Sequence, residues 1–180
     1  MGNVMSNKYL IAAAVALVAA VASPVFAQSS ASTTGTGSIT IIRPITITKT
    51  ADLAFGTVVR PGTGAGTAVI SAAGARTVTG GVVGLSSGAT PAAAAFTVAG
   101  EGGQSISVTV PTTFSMANGS DTLTVTTSNS LTGSAAAQTL SNALGSAGSL
   151  AFSVGGSVPI ASTTTTGLYT GTFTVSAAYN

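Results

Sequence analysis

The chain has 180 residues, a length that allows one domain, with 4% charged residues and a formal net charge of +2. The five Lys and Arg residues are scattered along the sequence, so we expect no basic surface for nucleic acid. The absence of His and Cys excludes Ser–His–Asp and Cys–His catalysis and any metal site with imidazole or thiolate ligands.

The first 27 residues have the pattern of a signal peptide. Lys8 precedes an apolar run over residues 9–21, and small residues at Val25 and Ala27 follow Pro24. We predict cleavage after Ala27, export through the inner membrane, and residence in the periplasm and then at the cell surface. The alternative is an uncleaved membrane anchor, although the apolar run is shorter than the roughly 20 residues that a spanning helix needs. The mature chain is expected to have no membrane span.

A flexible segment is predicted over residues 28–42, followed by a domain over residues 43–180. Residues 28–37 are rich in Ser, Thr and Gly. Beyond them, Ile39 and Ile41 alternate with polar residues, and the alternation resumes after Pro44, which cannot donate a backbone hydrogen bond. Residues 38–48 are therefore either a strand donated to another molecule or the first strand of the domain itself.

The domain is predicted to be all-β, because short alternating segments are separated by Gly-rich turns and no helical period is evident. Gly155-Gly156 predicts a tight hairpin, and residues 130–148 predict a loop with a helical turn. Many short strands at this spacing are typical of an antiparallel β-sandwich of immunoglobulin type. Strands are expected at residues 51–59, 67–71, 76–79, 93–99, 104–110, 121–127, 150–154 and 157–160.

The last strand is predicted over residues 169–180, where alternate positions are apolar or hydroxyl-bearing. Successive side chains of a strand point to opposite faces, so one face is expected to be half-buried. This stretch resembles the final strand of pilus subunits assembled by the bacterial chaperone–usher route, in which a Gly and alternating apolar residues precede a penultimate Tyr. The matching residues are Gly167, Phe173, Val175, Ala177 and Tyr179.

The wider sequence is similar to the exported proteobacterial family catalogued as domain of unknown function 4402. The similar stretches are residues 44–58, 96–100 and 167–175. Residues 53–56 also resemble the Leu-Asp-Phe-Gly element of spore-coat-U-like and archaic chaperone–usher pilins, with Ala54 in place of the acid. These resemblances imply a pilin-like immunoglobulin fold, self-association into a fimbrium, or binding by a periplasmic chaperone and usher.

Two functions follow as alternatives. The first is a non-enzymatic fibre subunit that donates residues 32–42 to a neighbour, with Ile39 and Ile41 as anchors. The second is a self-contained secreted module that binds carbohydrate or a surface. The aromatic side chains available for such a face are Tyr169 and Phe114, but Tyr169 shares the parity of the apolar face, which favours a core position.

An enzyme and a cofactor are not expected, since Asp52, Glu101 and Asp121 are the only acidic side chains. Glu101 and Asp121 lie in or beside predicted turns, where we expect solvated polar groups. The candidate assembly residues are Ile39, Ile41, Gly167, Phe173, Val175, Ala177 and Tyr179.

Overall fold

The structure, a computed structural model, describes residues 30–180. The predicted signal peptide, residues 1–27, and the start of the predicted flexible segment lie outside the described residues. The chain divides after Ile39 into two units. The described part of the first unit, residues 30–39, contains neither helix nor strand, whereas the second unit, Thr40–Asn180, contains all the strands of the described chain.

Within residues 30–180 the fold is all-β, without a helix, and every strand pairing is antiparallel. This confirms the predicted all-β class, which agrees with the many β-branched residues in the alternating stretches. The strands are β1 (Thr46–Ala51), β2 (Val58–Val59), β3 (Ala65–Ile70), β4 (Arg76–Thr79), β5 (Val83–Gly84), β6 (Ala94–Glu101), β7 (Ser105–Thr109), β8 (Thr113–Asn118), β9 (Asp121–Asn129), β10 (Gln138–Thr139), β11 (Ala147–Ala161) and β12 (Ser176–Tyr179).

The long strand β11 connects most of the other strands. It pairs with β6 along residues 147–154 and with β3 along residues 156–161. On its opposite edge it pairs with β9 along residues 154–157, and β9 forms a hairpin with β8. The outer strands β1 and β4 then pair with β6 and β3, respectively.

A second, three-stranded sheet has the order β10–β7–β12 and contains the end of the chain. The larger of two apolar clusters lies between residues of this sheet and of the main sheet, with Val98, Ile106, Phe152 and Val154 among its buried members. The other cluster surrounds Val125 and lies toward β3 and β9. Burial of these apolar side chains is the main stabilising contribution to a chain that has no disulfide.

The predicted hairpin at Gly155-Gly156 is wrong, because both glycines are buried within the single strand β11. Their role is close packing instead of turning. A Cβ atom added at Gly155 would lie 2.2 Å from the carbonyl oxygen of Ile70, and one added at Gly156 would lie 2.7 Å from Cγ1 of Val125. Glycine is needed wherever another backbone or a packed side chain approaches a strand this closely.

Two other expectations are also corrected, and one strand was missed. The predicted strand over residues 51–59 is interrupted, with an isolated bridge between Ala54 and Ala92 and a positive φ of 70° at Gly56. The predicted loop over residues 130–148 contains the short strand β10 and no helical turn. Strand β8 was not predicted, although Phe114 and Met116 alternate within it.

We predict that Gly155→Ala lowers the free energy of unfolding by about 1–3 kcal/mol, because the added methyl group collides with the β3 backbone. Urea denaturation followed by circular dichroism measures this change. Gly62→Ala is the control, since nothing lies within 4 Å of a Cβ atom placed there, and it should change stability by less than about 0.5 kcal/mol. Equal midpoints for the two variants would contradict the packing role of Gly155.

Candidate functional site

A gap lies between the end of β1 and residues 169–173, whereas toward Tyr179 the last strand lies close to the start of β1. In the described part of the chain, β1 pairs only with β6, and β12 pairs only with β7. Tyr179 lies beside Arg43 at one end of the gap, whereas Thr172 and Phe173 share a cavity with Lys49 and Asp52 at the other. The two stretches therefore run antiparallel without pairing. We call the gap between β1 and residues 169–179 the C-terminal groove.

Aromatic side chains form the floor of this groove. The ring of Phe173 lies 4.9 Å from that of Phe114 and 6.1 Å from that of Phe96, between ring centroids, and Phe96 stacks on Phe152 at 5.5 Å. Above the rings is a cavity of about 280 Å³ that opens between Lys49 and Asp52 on one side and residues 169–173 on the other. The C-terminal groove thus offers an apolar surface that the chain itself does not cover.

The last residues line this groove with an apolar face that is only half-buried. Phe173, Val175, Ala177 and Tyr179 alternate with fully exposed residues and pack against the larger apolar cluster. Regular strand pairing covers only residues 176–179, so the predicted strand over residues 169–180 is shorter than expected. Before it, an isolated bridge joins Thr170 to Ala117 of β8. Burial confirms the predicted alternation over residues 172–180, whereas Gly171, on the apolar parity, is exposed.

A cluster of polar contacts closes one end of the groove. The hydroxyl of Tyr179 donates to the carbonyl of Arg43 at 2.9 Å and accepts from the backbone N–H of Glu101 at 2.6 Å. The guanidinium of Arg43 binds Oε2 of Glu101 at 2.8 Å and the carbonyl of Gly145 at 3.2 Å. The N–H of Gly145 donates to Oε1 of Glu101. We call these residues, Arg43, Glu101, Gly145 and Tyr179, the Arg43 clamp.

Glu101 was expected to be a solvated turn residue, and this is wrong, since its exposed fraction is 2%. A buried carboxylate is tolerated when it is paired and hydrogen-bonded. The N–H of Gly145 lowers the pKa of Glu101 most, and Arg43 lowers it further through its N–H and guanidinium groups, against the opposing effect of burial. Glu101 is therefore held in its charged form at the end of β6.

The structure brings together only part of the predicted assembly set. Phe173, Val175, Ala177 and Tyr179 lie side by side in the C-terminal groove, whereas Gly167 lies outside it, against Asn118, with a positive φ of 145°. Ile39 and Ile41 belong to no strand and are 84% and 82% exposed.

Sequence reasoning missed Arg43 and Glu101 as partners. Their signal was a single Glu and a single Arg in stretches otherwise free of charge, but 58 residues separate them and nothing in the sequence pairs them.

The aromatic residues proposed for a binding face are not on an exposed face. Tyr169 is half-buried, and its hydroxyl donates to the carbonyl of Thr165 at 2.9 Å. Phe114 is also half-buried, against Phe173. Tyr169 borders a further apolar cavity of about 500 Å³, which shares Leu53 and Met116 with the C-terminal groove and has the exposed Leu168 at its edge.

Residues 30–180 contain no group of three or more acidic side chains placed to hold a metal ion. The same part of the chain includes no helix with the length and hydropathy that crossing a membrane requires.

The fold and groove define an all-β domain with an uncovered apolar groove between two unpaired strand edges. A family model described as "Domain of unknown function (DUF4402)" matches residues 45–179, and the chain belongs to this family. The matched residues include β1, the groove floor and the last strand, and they exclude Ile39 and Ile41. No curated protein and no solved structure matches the chain.

We predict that the stability of the protein falls in acid because of Glu101. Its pKa is lower in the folded than in the unfolded chain, so the stabilising contribution is complete well above pH 4.5 and is lost as the pH falls through the folded pKa. Glu101→Gln should therefore be less stable at pH 7 and should lose less stability between pH 5 and about pH 2. Urea midpoints across this range measure both effects.

Asp121→Asn is the matched control, because it removes a carboxylate at the β8–β9 turn and leaves the Arg43 clamp intact. If Glu101→Gln and Asp121→Asn show the same acid decline as the unaltered chain, Glu101 does not contribute as described.

Proposed function

We propose that the protein is a non-enzymatic structural subunit of the cell surface, resembling a fimbrial or pilus subunit, which polymerises by strand donation. Residues 32–42 of one copy are added as a strand to the C-terminal groove of another. In this view the domain is an immunoglobulin-like sandwich that lacks one strand. The observation that carries the proposal is the half-buried apolar face of residues 173–179. It lies next to two unpaired strand edges, that of β12 and that of β1.

Strand addition would satisfy both kinds of unmet interaction at the groove. The backbone groups on the free edge of β1 or of β12 can form ladder hydrogen bonds with an added segment, and the two strands must move apart for one segment to pair with both. Alternating apolar side chains of that segment can cover Phe96, Phe114 and Phe173. Lys49 and Asp52, the charged residues that line the cavity, form an ion pair with each other, so they present little net charge to a partner.

The magnitudes show that the two isoleucines are not sufficient alone. Full burial of one Ile side chain contributes about 1.5–3 kcal/mol, so Ile39 and Ile41 together contribute about 3–6 kcal/mol. A dissociation constant of 1 μM corresponds to about 8 kcal/mol. Main-chain hydrogen bonds along the groove are thus needed for a stable fibre. The preceding Gly35 and Gly37 add no side chain that the groove would have to accommodate.

The proposal also includes export of the chain and its delivery by a chaperone and usher. The N-terminal pattern directs the chain through the inner membrane, and a periplasmic chaperone and usher would cover the C-terminal groove until a second copy replaces them. The resemblance of the last strand to chaperone–usher subunits supports this part.

The alternative, a carbohydrate-binding module, receives less support. The large apolar side chains exposed in residues 30–180 are aliphatic, and Tyr169 and Phe114 are half-buried.

Disulfide trapping tests strand donation, because the chain has no Cys of its own. One preparation of residues 28–180 carries Thr40→Cys, and a second carries Thr172→Cys or Thr174→Cys, exposed positions in the last residues of the chain. We expect a mixed dimer on oxidation, since a disulfide requires Cα atoms within about 7 Å of each other. Non-reducing electrophoresis measures the yield, and size exclusion with light scattering shows whether the unaltered chain forms polymers.

Two controls accompany the trapping experiment. Val83→Cys replaces the groove cysteine at an exposed site in β5 and should give little mixed dimer. Ile39→Ser with Ile41→Ser in the donor should abolish trapping without unfolding the domain, because both side chains are exposed. Equal trapping at Val83 and Thr172, or monomers that bind no peptide of residues 32–42, would disprove strand donation and leave a self-contained binding module as the leading account.

A further inference from the structure

We propose that the Arg43 clamp is a positioning device that prevents the donor segment from entering the groove of its own chain. This inference rests on the proposed function. In it, the clamp is what directs residues 32–42 to the groove of a second copy. The inference also assigns a role to Arg43, Pro44 and Glu101, none of which was among the candidate assembly residues.

The clamp fixes the backbone of Arg43 on both sides. Its N–H donates to Oε2 of Glu101 at 3.3 Å, and its carbonyl accepts from the hydroxyl of Tyr179 at 2.9 Å. The guanidinium adds the bond to Glu101 at 2.8 Å and the bond to Gly145 at 3.2 Å. Rotating Arg43 would break all these contacts and leave a buried carboxylate unpaired, which is strongly unfavourable.

Self-insertion would require the chain to reverse at this same position. β1 begins at Thr46, and the C-terminal groove is narrow beside Tyr179 and opens beside Lys49 and Asp52. For residues 32–42 to lie beside β1 of their own chain, they would have to form a hairpin with a turn at Arg43-Pro44. Ile41 is instead 82% exposed within the unit that contains β1.

Pro44 makes that hairpin turn unfavourable. The Arg43–Pro44 peptide bond is trans, and Pro at the second central position of a tight turn is disfavoured unless the bond is cis. Proline also restricts the preceding residue to extended conformations, which excludes the positive φ values that two-residue hairpin loops need. The clamp and Pro44 therefore act in the same direction, and both keep the chain extended between Ile42 and Ile45.

The test is a switch from intermolecular to intramolecular trapping. Residues 28–180 carrying both Thr40→Cys and Thr174→Cys should form interchain disulfides when Arg43 and Pro44 are present. Arg43→Gly with Pro44→Gly provides a loop that favours the hairpin. We expect this variant to form an intrachain disulfide, to run as a monomer, and to take up a peptide of residues 32–42 at least about tenfold less, equivalent to 1.4 kcal/mol.

Further variants separate the possible outcomes. Adding Ile39→Ser and Ile41→Ser should restore peptide uptake, because the groove itself is unchanged. Arg43→Lys should retain interchain trapping, since it preserves the charge opposite Glu101. Arg60→Ala is the matched control: it removes an arginine that binds a backbone carbonyl, that of Thr164, outside the clamp. Pro44→Gly alone keeps the ion pair between Arg43 and Glu101. If the double variant fails to fold, this single variant shows whether trapping becomes intrachain.

Each result bears on one proposal. If the glycine variants polymerise like the unaltered chain, or become monomers that still bind the peptide fully, the clamp does not direct donation, and strand donation itself stands. If the unaltered chain gives neither interchain trapping nor peptide uptake, strand donation fails, and the positioning role fails with it.

Discussion

The one-sided pairing of β12 with β7 is the constraint on which the functional interpretation depends. It fixes the final residues in the sheet, yet it leaves their second edge and much of their apolar face uncovered. Edge strands of this kind are normally protected by charges, prolines or short length. Here two ion pairs border the groove, Lys49 with Asp52 and Arg43 with Glu101, and β12 is four residues long. The proposed strand addition therefore rests on the apolar floor of the groove and on the unpaired edge of β1.

Only 4% of the residues are charged, and the position of one of them, Glu101, helps to explain the groove. Of the ionisable side chains in residues 30–180, Glu101 is the one that is fully buried, and it lies where the domain meets the segment that precedes it. Gly100 is part of the same arrangement, because a Cβ atom there would lie 2.2 Å from the hydroxyl of Tyr179. Packing at Gly100 and hydrogen bonding at Glu101 together place the Tyr179 hydroxyl against Arg43. The polar contacts thus organise one end of an otherwise apolar groove.

The sequence was sufficient for local features and insufficient for those that depend on distant partners. Alternation predicted the half-buried face of Phe173, Val175, Ala177 and Tyr179, because a period of two needs only neighbouring residues to be visible. Gly155-Gly156 was mistaken for a turn, since a glycine required by a backbone passing on another strand looks the same in sequence as one required by positive φ. Glu101 was mistaken for a solvated residue for the same reason: its partners, Arg43 and Gly145, are distant along the chain.

The bond between Tyr179 and Arg43 joins residues 136 positions apart. Contacts of such long range form late in folding, because the entropy of closing the intervening loop must be paid first. The domain cannot complete this contact until Tyr179 has paired with β7 in the last strand. A chain cut short by even a few residues would lack both the last strand and the clamp. The position of Arg43, just before β1, therefore depends on residues at the far end of the sequence, and a change in the last strand would alter it.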